Sequence, residues 1–368
     1  MKKILFIGPY QSGTGYGNAL LEYIYSAKEA GLDVACRRCK MTNDIIKLPD
    51  DILQLENTNL NNVDAVFQYN LPSEFQYKQG VINIGSFAYE TLGVPFNFWK
   101  THIKLVDKLV HPCNMQKSVY DCIQKGTVIP HSVNKNKYTK SYEFFEFNIY
   151  NSAYKFYTIS ELNTRKNLPE LLLSYFNAFT YNDDVLLVIK INSSGKTSGQ
   201  ASEELKKIIE EMKVRSGINR NVKKFPKIAI ISEFLTEEKL ASLHLSCDTF
   251  VTMSRGESWC NPAIDAIAFG NKIIAPNFGA FKDYNLYSSD FGDLIDGSIT
   301  PALGNHNAPM GLYSSKELWF RPNIEEMSEL MLKYFTKNNS GDKIQRSNEI
   351  INNLSRVNVG NKIKELII

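Results

Sequence analysis

Residues 248–266 read Asp-Thr-Phe-Val-Thr-Met-Ser-Arg-Gly-Glu-Ser-Trp-Cys-Asn-Pro-Ala-Ile-Asp-Ala, and two structural signals follow one another within them. The apolar run at 249–252 is short and bounded by turn residues, which predicts a buried strand. Asn261-Pro262 predicts a helix start, with Asn261 as N-cap and Pro262 at the first helical position, where its missing N–H costs nothing. Glu257, Ser258, Trp259, Cys260 and Asn261 therefore fall at a helix N-terminus on the carboxyl edge of a parallel sheet. Open α/β sheets take their ligands at that edge. Helix-start N–H groups there can receive a diphosphate without a metal. Glu257 precedes the helix and Asp265 is placed in its first turn, in an acid-x7-acid spacing. A carboxylate accepts two hydroxyl hydrogen bonds at once, which suits the vicinal diols of a ribose or hexose. The plainer reading makes Glu257 a loop-surface charge and Asp265 a complement to the helix dipole.

Outward from this stretch the same rhythm repeats. Short apolar runs at 4–7, 32–36, 65–68, 81–84, 108–111 and 127–129 predict strands, and so do 156–159, 185–191, 228–231 and 272–275. Helical patterns at 18–30, 168–179, 203–214, 240–245, 262–269 and from 323 onward lie between or after them. Strands alternating with helices imply parallel sheets covered on both faces. Residues 134–153 break the alternation with a polar, basic and aromatic connector whose lysines read as a solvated face. Two α/β domains are expected, 1–150 and 151–340, with 341–368 a helix returning toward the first.

Composition narrows the function classes. The 368 residues carry 42 Lys plus Arg against 39 Asp plus Glu, a formal charge of +3, which disfavours a dedicated nucleic-acid binder or a polybasic anchor. Six cysteines are too few for a disulfide scaffold, and the single Cys36-x-x-Cys39 pair lacks the partners of a zinc site. The apolar N-terminal run is too short for a signal peptide, and no run approaches the ~18 residues of a spanning helix. A cytoplasmic protein without a transmembrane segment is the expectation.

A glycine-rich loop, Gly13-Thr14-Gly15-Tyr16-Gly17, follows the first strand. Its spacing is G-x-G-x-G, not the dinucleotide fingerprint, and the acid that would hold a ribose is replaced by Cys36-Arg37-Arg38-Cys39. An anion site and a tight structural turn fit it equally.

Residues 248–279, "DTFVTMSRGESWCNPAIDAIAFGNKIIAPNFG", resemble the E-x7-E region of glycosyltransferase family 4. Residues 155–179, "KFYTISELNTRKNLPELLLSYFNAF", resemble the strand, Arg-Lys-Asn turn and helix that open that family's donor domain, and 230–248 its segment before the motif. "IPHSVN" at 129–134 is similar to the His-Gly-Val-Asp ending of its acceptor domain, and 87–119 fits more loosely. The resemblance implies a GT-B fold, two Rossmann-like domains whose parallel sheets face across a cleft. It implies a retaining hexosyltransferase that moves sugar from a nucleoside-diphosphate sugar to a hydroxyl acceptor, with no cofactor and no metal. Glu257, Lys166 and Arg165 would then be catalytic, Lys166 and Arg165 offsetting charge on the departing diphosphate. Gly13, Gly15, Lys190, Ser258, Trp259, Cys260, Asn261 and Asp265 would bind donor, and Glu90, read as ending a strand, would position donor or acceptor. The chain departs from the family at Asp265 (usually Glu), Glu161 (often Arg), Asn134 (usually Asp) and Ser132 (Gly).

Acceptors in keeping with this reading are a sugar, a lipid-linked glycan reached by peripheral membrane contact, or a modified nucleic-acid base met by the basic residues of 206–227. Two rivals stand beside it. One is a nucleotide-binding oxidoreductase or epimerase working through the Gly13–Gly17 loop. The other is a non-catalytic nucleotide-sugar binding protein, for which Asp265 and Glu161 are the arguments.

Overall fold

The apolar runs become two parallel six-stranded sheets. The first contains β1 (Lys3–Gly8), β2 (Asp33–Arg38), β3 (Ala65–Tyr69), β4 (Ile82–Ser86), β5 (Lys108–His111) and β6 (Gly126–Val128), in the order β2-β1-β3-β4-β5-β6. The second contains β7 (Tyr154–Glu161), β8 (Val185–Asn192), β9 (Lys227–Ile231), β10 (Thr249–Val251), β11 (Lys272–Pro276) and β12 (Gly292–Ile295), in the order β12-β11-β10-β7-β8-β9. The computed structural model describes residues 1–41, 45–94, 97–192, 195–217, 224–304, 313, 315–337 and 343–368.

Two compact units contain these sheets: Met1–Lys135 with Ile351–Ile368, and Asn136–Ile350. The sequence reading divides the chain at 150 and 341 instead. The connector shifts because Lys137 and Tyr138 are bound by Asp265 of the second unit. The return starts later because Arg346, 1% exposed, is fastened to Gly270 and Asp290 of that same unit. Within the first unit, the helix Arg356–Glu365 packs along Gly15–Glu29. Arg356 sets Nε and Nη2 each 2.7 Å from the Glu22 carboxylate in a two-toothed grip.

In the first sheet β1 lies between β2 and β3, with Phe6 beside Cys36 and Phe67. In the second, β7 lies between β8 and β10, Phe156 pairing with Leu187 on one side and Thr249 on the other. Residues 185–191 of β8 are all buried, as a central strand with both faces covered demands. Its Leu187 and Ile189, with Val251 and Ile274, pack into one apolar core, each burial worth about 2 kcal/mol. Both strand orders reverse direction once, between β1 and β3 in the first sheet and between β7 and β10 in the second. In open α/β sheets the carboxyl edge at such a reversal is where ligands bind.

The sequence did not lead to β12 or to the antiparallel pair β13 (Gly297–Pro301) and β14 (Leu318–Pro322). β13 is mostly exposed and polar, so it lacks the apolar signature of the others. The helix expected at 203–214 begins earlier, at Ser198, because Thr197 and Gln200 form a capping box.

Candidate functional site

At the second unit's reversal point the loop after β7, residues 162–167, meets the loop after β10, residues 252–260. The two are joined through backbone. Arg255 N–H donates to the Arg165 carbonyl at 2.8 Å, and the Arg165 guanidinium Nη1 donates to the Gly256 carbonyl at 2.7 Å. This juxtaposition delivers the three residues expected to be catalytic to one spot. Glu257, 6% exposed, receives at one carboxylate oxygen, Oε1, Lys166 Nζ at 2.5 Å, the Ser254 hydroxyl at 2.8 Å and Arg165 Nη1 at 3.2 Å.

Burial alone would raise the Glu257 carboxyl, but Lys166 and Arg165, with the Lys166 and Ser254 hydrogen bonds, outweigh it and hold the group at about 2. The carboxylate is therefore ionised throughout the physiological range. An ion pair this dry gains little net stability over apolar packing, so its presence at the sheet's ligand edge is better read as chemistry.

The backbone of Glu257 is fixed from the other side. Ala280 N–H donates to its carbonyl at 2.9 Å, and Gly279, at φ +67°, lets the chain pass so close that a β-carbon there would lie 2.4 Å from the same carbonyl. Ser254 and Gly279 were not singled out from sequence. The conspicuous glycine in Asn277-Phe278-Gly279 was the available signal for the second, and Ser254 had none.

The helix that follows spans Asn261–Ala268. Its N-cap is Cys260, not Asn261, and Pro262 stands at the second helical position. Cys260 takes a left-handed conformation, φ 68° and ψ 71°, which a residue with a β-carbon adopts only under constraint. Its side chain makes no capping hydrogen bond. Burial, reinforced by Glu257, pushes the Cys260 thiol up to about 12, so it is no thiolate nucleophile at neutral pH. Ser258 is 5% exposed with a hydroxyl that has no partner among the described residues. Trp259 instead turns into the core against Tyr284 and Tyr287, and the Tyr284 hydroxyl donates to its carbonyl. Its side chain is part of the packing of that unit.

Asp265 differs from expectation in two ways. It is the fifth helical residue, beyond the first turn, and both its oxygens are engaged: Oδ2 by Lys137 Nζ at 2.9 Å and Oδ1 by the Tyr138 hydroxyl at 2.6 Å. Burial opposes ionisation, but Lys137, His244 and Tyr138 hold its carboxyl below the ordinary value. The connector's Lys137 is thus an ion-pair partner and not part of a solvated face. A contact spanning 128 residues leaves no mark in local sequence.

Lys190, 2% exposed, turns back on its own strand, donating to the Ile191 carbonyl at 2.9 Å and Asn192 Oδ1 at 2.5 Å; burial pushes its ammonium down to about 8. Glu161, in the family's usual Arg position, accepts from Asn163 Nδ2 at 2.9 Å, and Asn163 Oδ1 accepts from the Lys166 backbone N–H.

In the first unit the glycine-rich loop lies at that sheet's own reversal point. Gly13 and Gly15 are exposed, and Gly15 opens the helix Gly15–Glu29, three residues before the expected start, with Thr14 as N-cap accepting from Gly17 N–H. The glycine the geometry requires is Gly17, where a β-carbon would lie 2.2 Å from the Ser12 carbonyl. Glu90 does not end a strand: β4 stops at Ser86, four residues earlier. His131 is packed against Tyr23 and Tyr69, 3.3 Å from the Tyr69 hydroxyl. Cys36 and Cys39 are free thiols. Among the described residues no three His, Cys, Asp or Glu side chains converge as metal ligands, and no helix is long and apolar enough to cross a membrane.

No protein-family model matches the sequence, and no curated protein matches it. Solved structures do match in fold. HepE of Anabaena, crystallised with UDP and glucose, is 10% identical, with a TM-score of 0.62 over 100% of this chain and 99% of its own. A sucrose-phosphate synthase of Thermosynechococcus elongatus is 10% identical, with a TM-score of 0.65 over 100% and 98%. A glycosyltransferase of Rickettsia africae is 15% identical, with a TM-score of 0.61 over 100% and 97%. With its two parallel six-stranded sheets, the chain has the GT-B fold of these glycosyltransferases.

Proposed function

We propose that this protein is a retaining, metal-independent glycosyltransferase of the family 4 type, transferring a hexose-type sugar from a nucleoside-diphosphate sugar to a hydroxyl acceptor. One observation carries the reading: Glu257, Lys166 and Arg165 form a buried charged cluster at the carboxyl edge of a parallel sheet, beside the start of the helix Asn261–Ala268. HepE, of the same fold, was crystallised with UDP and glucose.

The residues suit the chemistry as follows. The bond from the anomeric carbon to the diphosphate oxygen breaks, and its electron pair stays on that oxygen. Charge growing there meets the Lys166 ammonium, which keeps two N–H groups beyond the one given to Glu257, together with Arg165 and the uncapped helix start. The Ser258 hydroxyl is a further donor with no partner among the described residues to give up. Such fixed donors supply the stabilisation a bound divalent cation supplies elsewhere. The acceptor hydroxyl bonds to the anomeric carbon on the face the diphosphate leaves, and its proton passes to the departing phosphate. The Lys166, Arg165 and Ser254 contacts all fall on Glu257 Oε1, so Oε2 is left to orient a sugar hydroxyl; the carboxylate is not assigned as a nucleophile.

A non-catalytic nucleotide-sugar binding protein is the second reading, favoured by the engagement of both Asp265 oxygens within the protein. A thermal-shift panel of UDP-, GDP- and ADP-sugars, followed by assay of nucleoside diphosphate release from the stabilising donor, separates the two. Release that disappears in Lys166→Ala supports transfer. Stabilisation without release, with any acceptor class, supports binding alone.

A further inference from the structure

Beside the helix Leu168–Ala178, the second unit has an open pocket of about 520 Å³. Neither Glu257, Lys166 nor Arg165 lines it. Four cationic side chains do, Arg255, Arg321, Arg215 and Lys196, against two carboxylates, Glu170 and Glu204. Lys196 is paired with Glu204, and Arg215 with Glu211. The two remaining guanidiniums share one acid: Glu170 Oε1 lies 3.0 Å from Arg321 Nε and 3.8 Å from Arg255 Nη2, while its Oε2 accepts from Asn167 Nδ2 at 2.7 Å.

One carboxylate between two guanidiniums leaves a positive charge without an equal partner. The imbalance has a structural trace. Arg255 Nε is buried and has no hydrogen-bond partner among the described residues, a condition that folded proteins rarely tolerate without a ligand or water. Arg255 is fixed at both ends of its peptide unit, its N–H on the Arg165 carbonyl and its carbonyl on Phe320 N–H, so the guanidinium is presented by a fixed backbone. Leu173, Ile208 and Met212 add an apolar wall. The volume falls within the ~300–1,000 Å³ typical of organic-ligand pockets. Guanidinium forks match phosphate oxygens in pairs.

We propose that this cavity is a second binding site, separate from the Glu257 cluster, for a small organic phosphate whose phosphoryl group is held by Arg255 and Arg321. Calorimetric titration of the full chain with hexose 6-phosphate, inorganic phosphate and citrate tests it. Saturable binding of the hexose phosphate is expected, at least tenfold tighter than inorganic phosphate or citrate. Arg321→Gln, at a side chain 57% exposed and so safe for folding, is expected to weaken it at least tenfold. Arg255→Lys, which keeps the charge and removes the Nε donor, is expected to weaken it as well. Lys166→Ala is expected to leave it unchanged. The proposal is overturned by an absence of saturable binding, by equal binding of inorganic phosphate or citrate, or by a loss in Lys166→Ala with none in Arg321→Gln, which would place the ligand at the cluster.

Discussion

Replacing Glu257 by Gln keeps the shape of the side chain and removes its charge, leaving Lys166 and Arg165 facing a neutral amide. The cost follows from the carboxyl's titration. An ordinary Glu titrates near 4.5, and in the fold this one is held at about 2. Each unit is worth about 1.4 kcal/mol, so the ionised form contributes about 3 kcal/mol to stability at neutral pH. Because the folded value lies below the unfolded one, that contribution is complete above about pH 4.5 and is lost as pH falls toward 2. Urea unfolding followed by tryptophan fluorescence reads it, since Trp259 and Trp319 both lie buried in the second unit. Glu257→Gln is expected to be about 3 kcal/mol less stable than the native protein at pH 7 and less than ~1 kcal/mol less stable at pH 2. An equal deficit at the two pH values, or none at pH 7, would refute the charge cluster as the source.

Other perturbations probe neighbouring parts. Lys166→Ala is expected to abolish diphosphate release while the circular dichroism spectrum stays native; full turnover would count against its role. Gly279→Ala forces a β-carbon against the Glu257 carbonyl at φ +67°, so a loss of about 1–3 kcal/mol and of most activity is expected, read by melting and turnover together. Lys190 titrates near 8 in the fold against 10.5 ordinarily, so burial penalises its charged form and stability rises as pH climbs between those values. Lys190→Met is expected to unfold later than the native chain at pH 7, with the gap narrowing by pH 10.5. Turnover is expected to be unchanged by EDTA and not stimulated by Mn²⁺; activity lost to EDTA and restored by Mn²⁺ would contradict a metal-free reaction.

The strands of both sheets were legible because buried parallel strands are near-continuous apolar runs, as at 185–191, and that signal needs no tertiary information. The cluster was legible too, because Arg165-Lys166 follows one strand, Glu257 follows another, and parallel sheets bring such loops to one edge. Elements that escaped notice depend on long-range partners. β13 is a polar strand defined by its pairing with β14, and Cys260 adopts a left-handed N-cap that no propensity assigns to cysteine. Asp265 looked like an available acid because Lys137 and Tyr138, which occupy it, lie more than 120 residues upstream. Gly17, not Gly13 or Gly15, proved to be the sterically required glycine of its loop, since the obstacle is the carbonyl of Ser12 folded back against it.

A crystal structure of the protein with the nucleoside-diphosphate sugar that stabilises it most tests the central claim directly. The account expects the diphosphate at the start of the helix Asn261–Ala268, with a phosphate oxygen within hydrogen-bond distance of Lys166 Nζ and a sugar hydroxyl on Glu257. A diphosphate bound elsewhere, with the Lys166–Glu257 pair still closed, would contradict it.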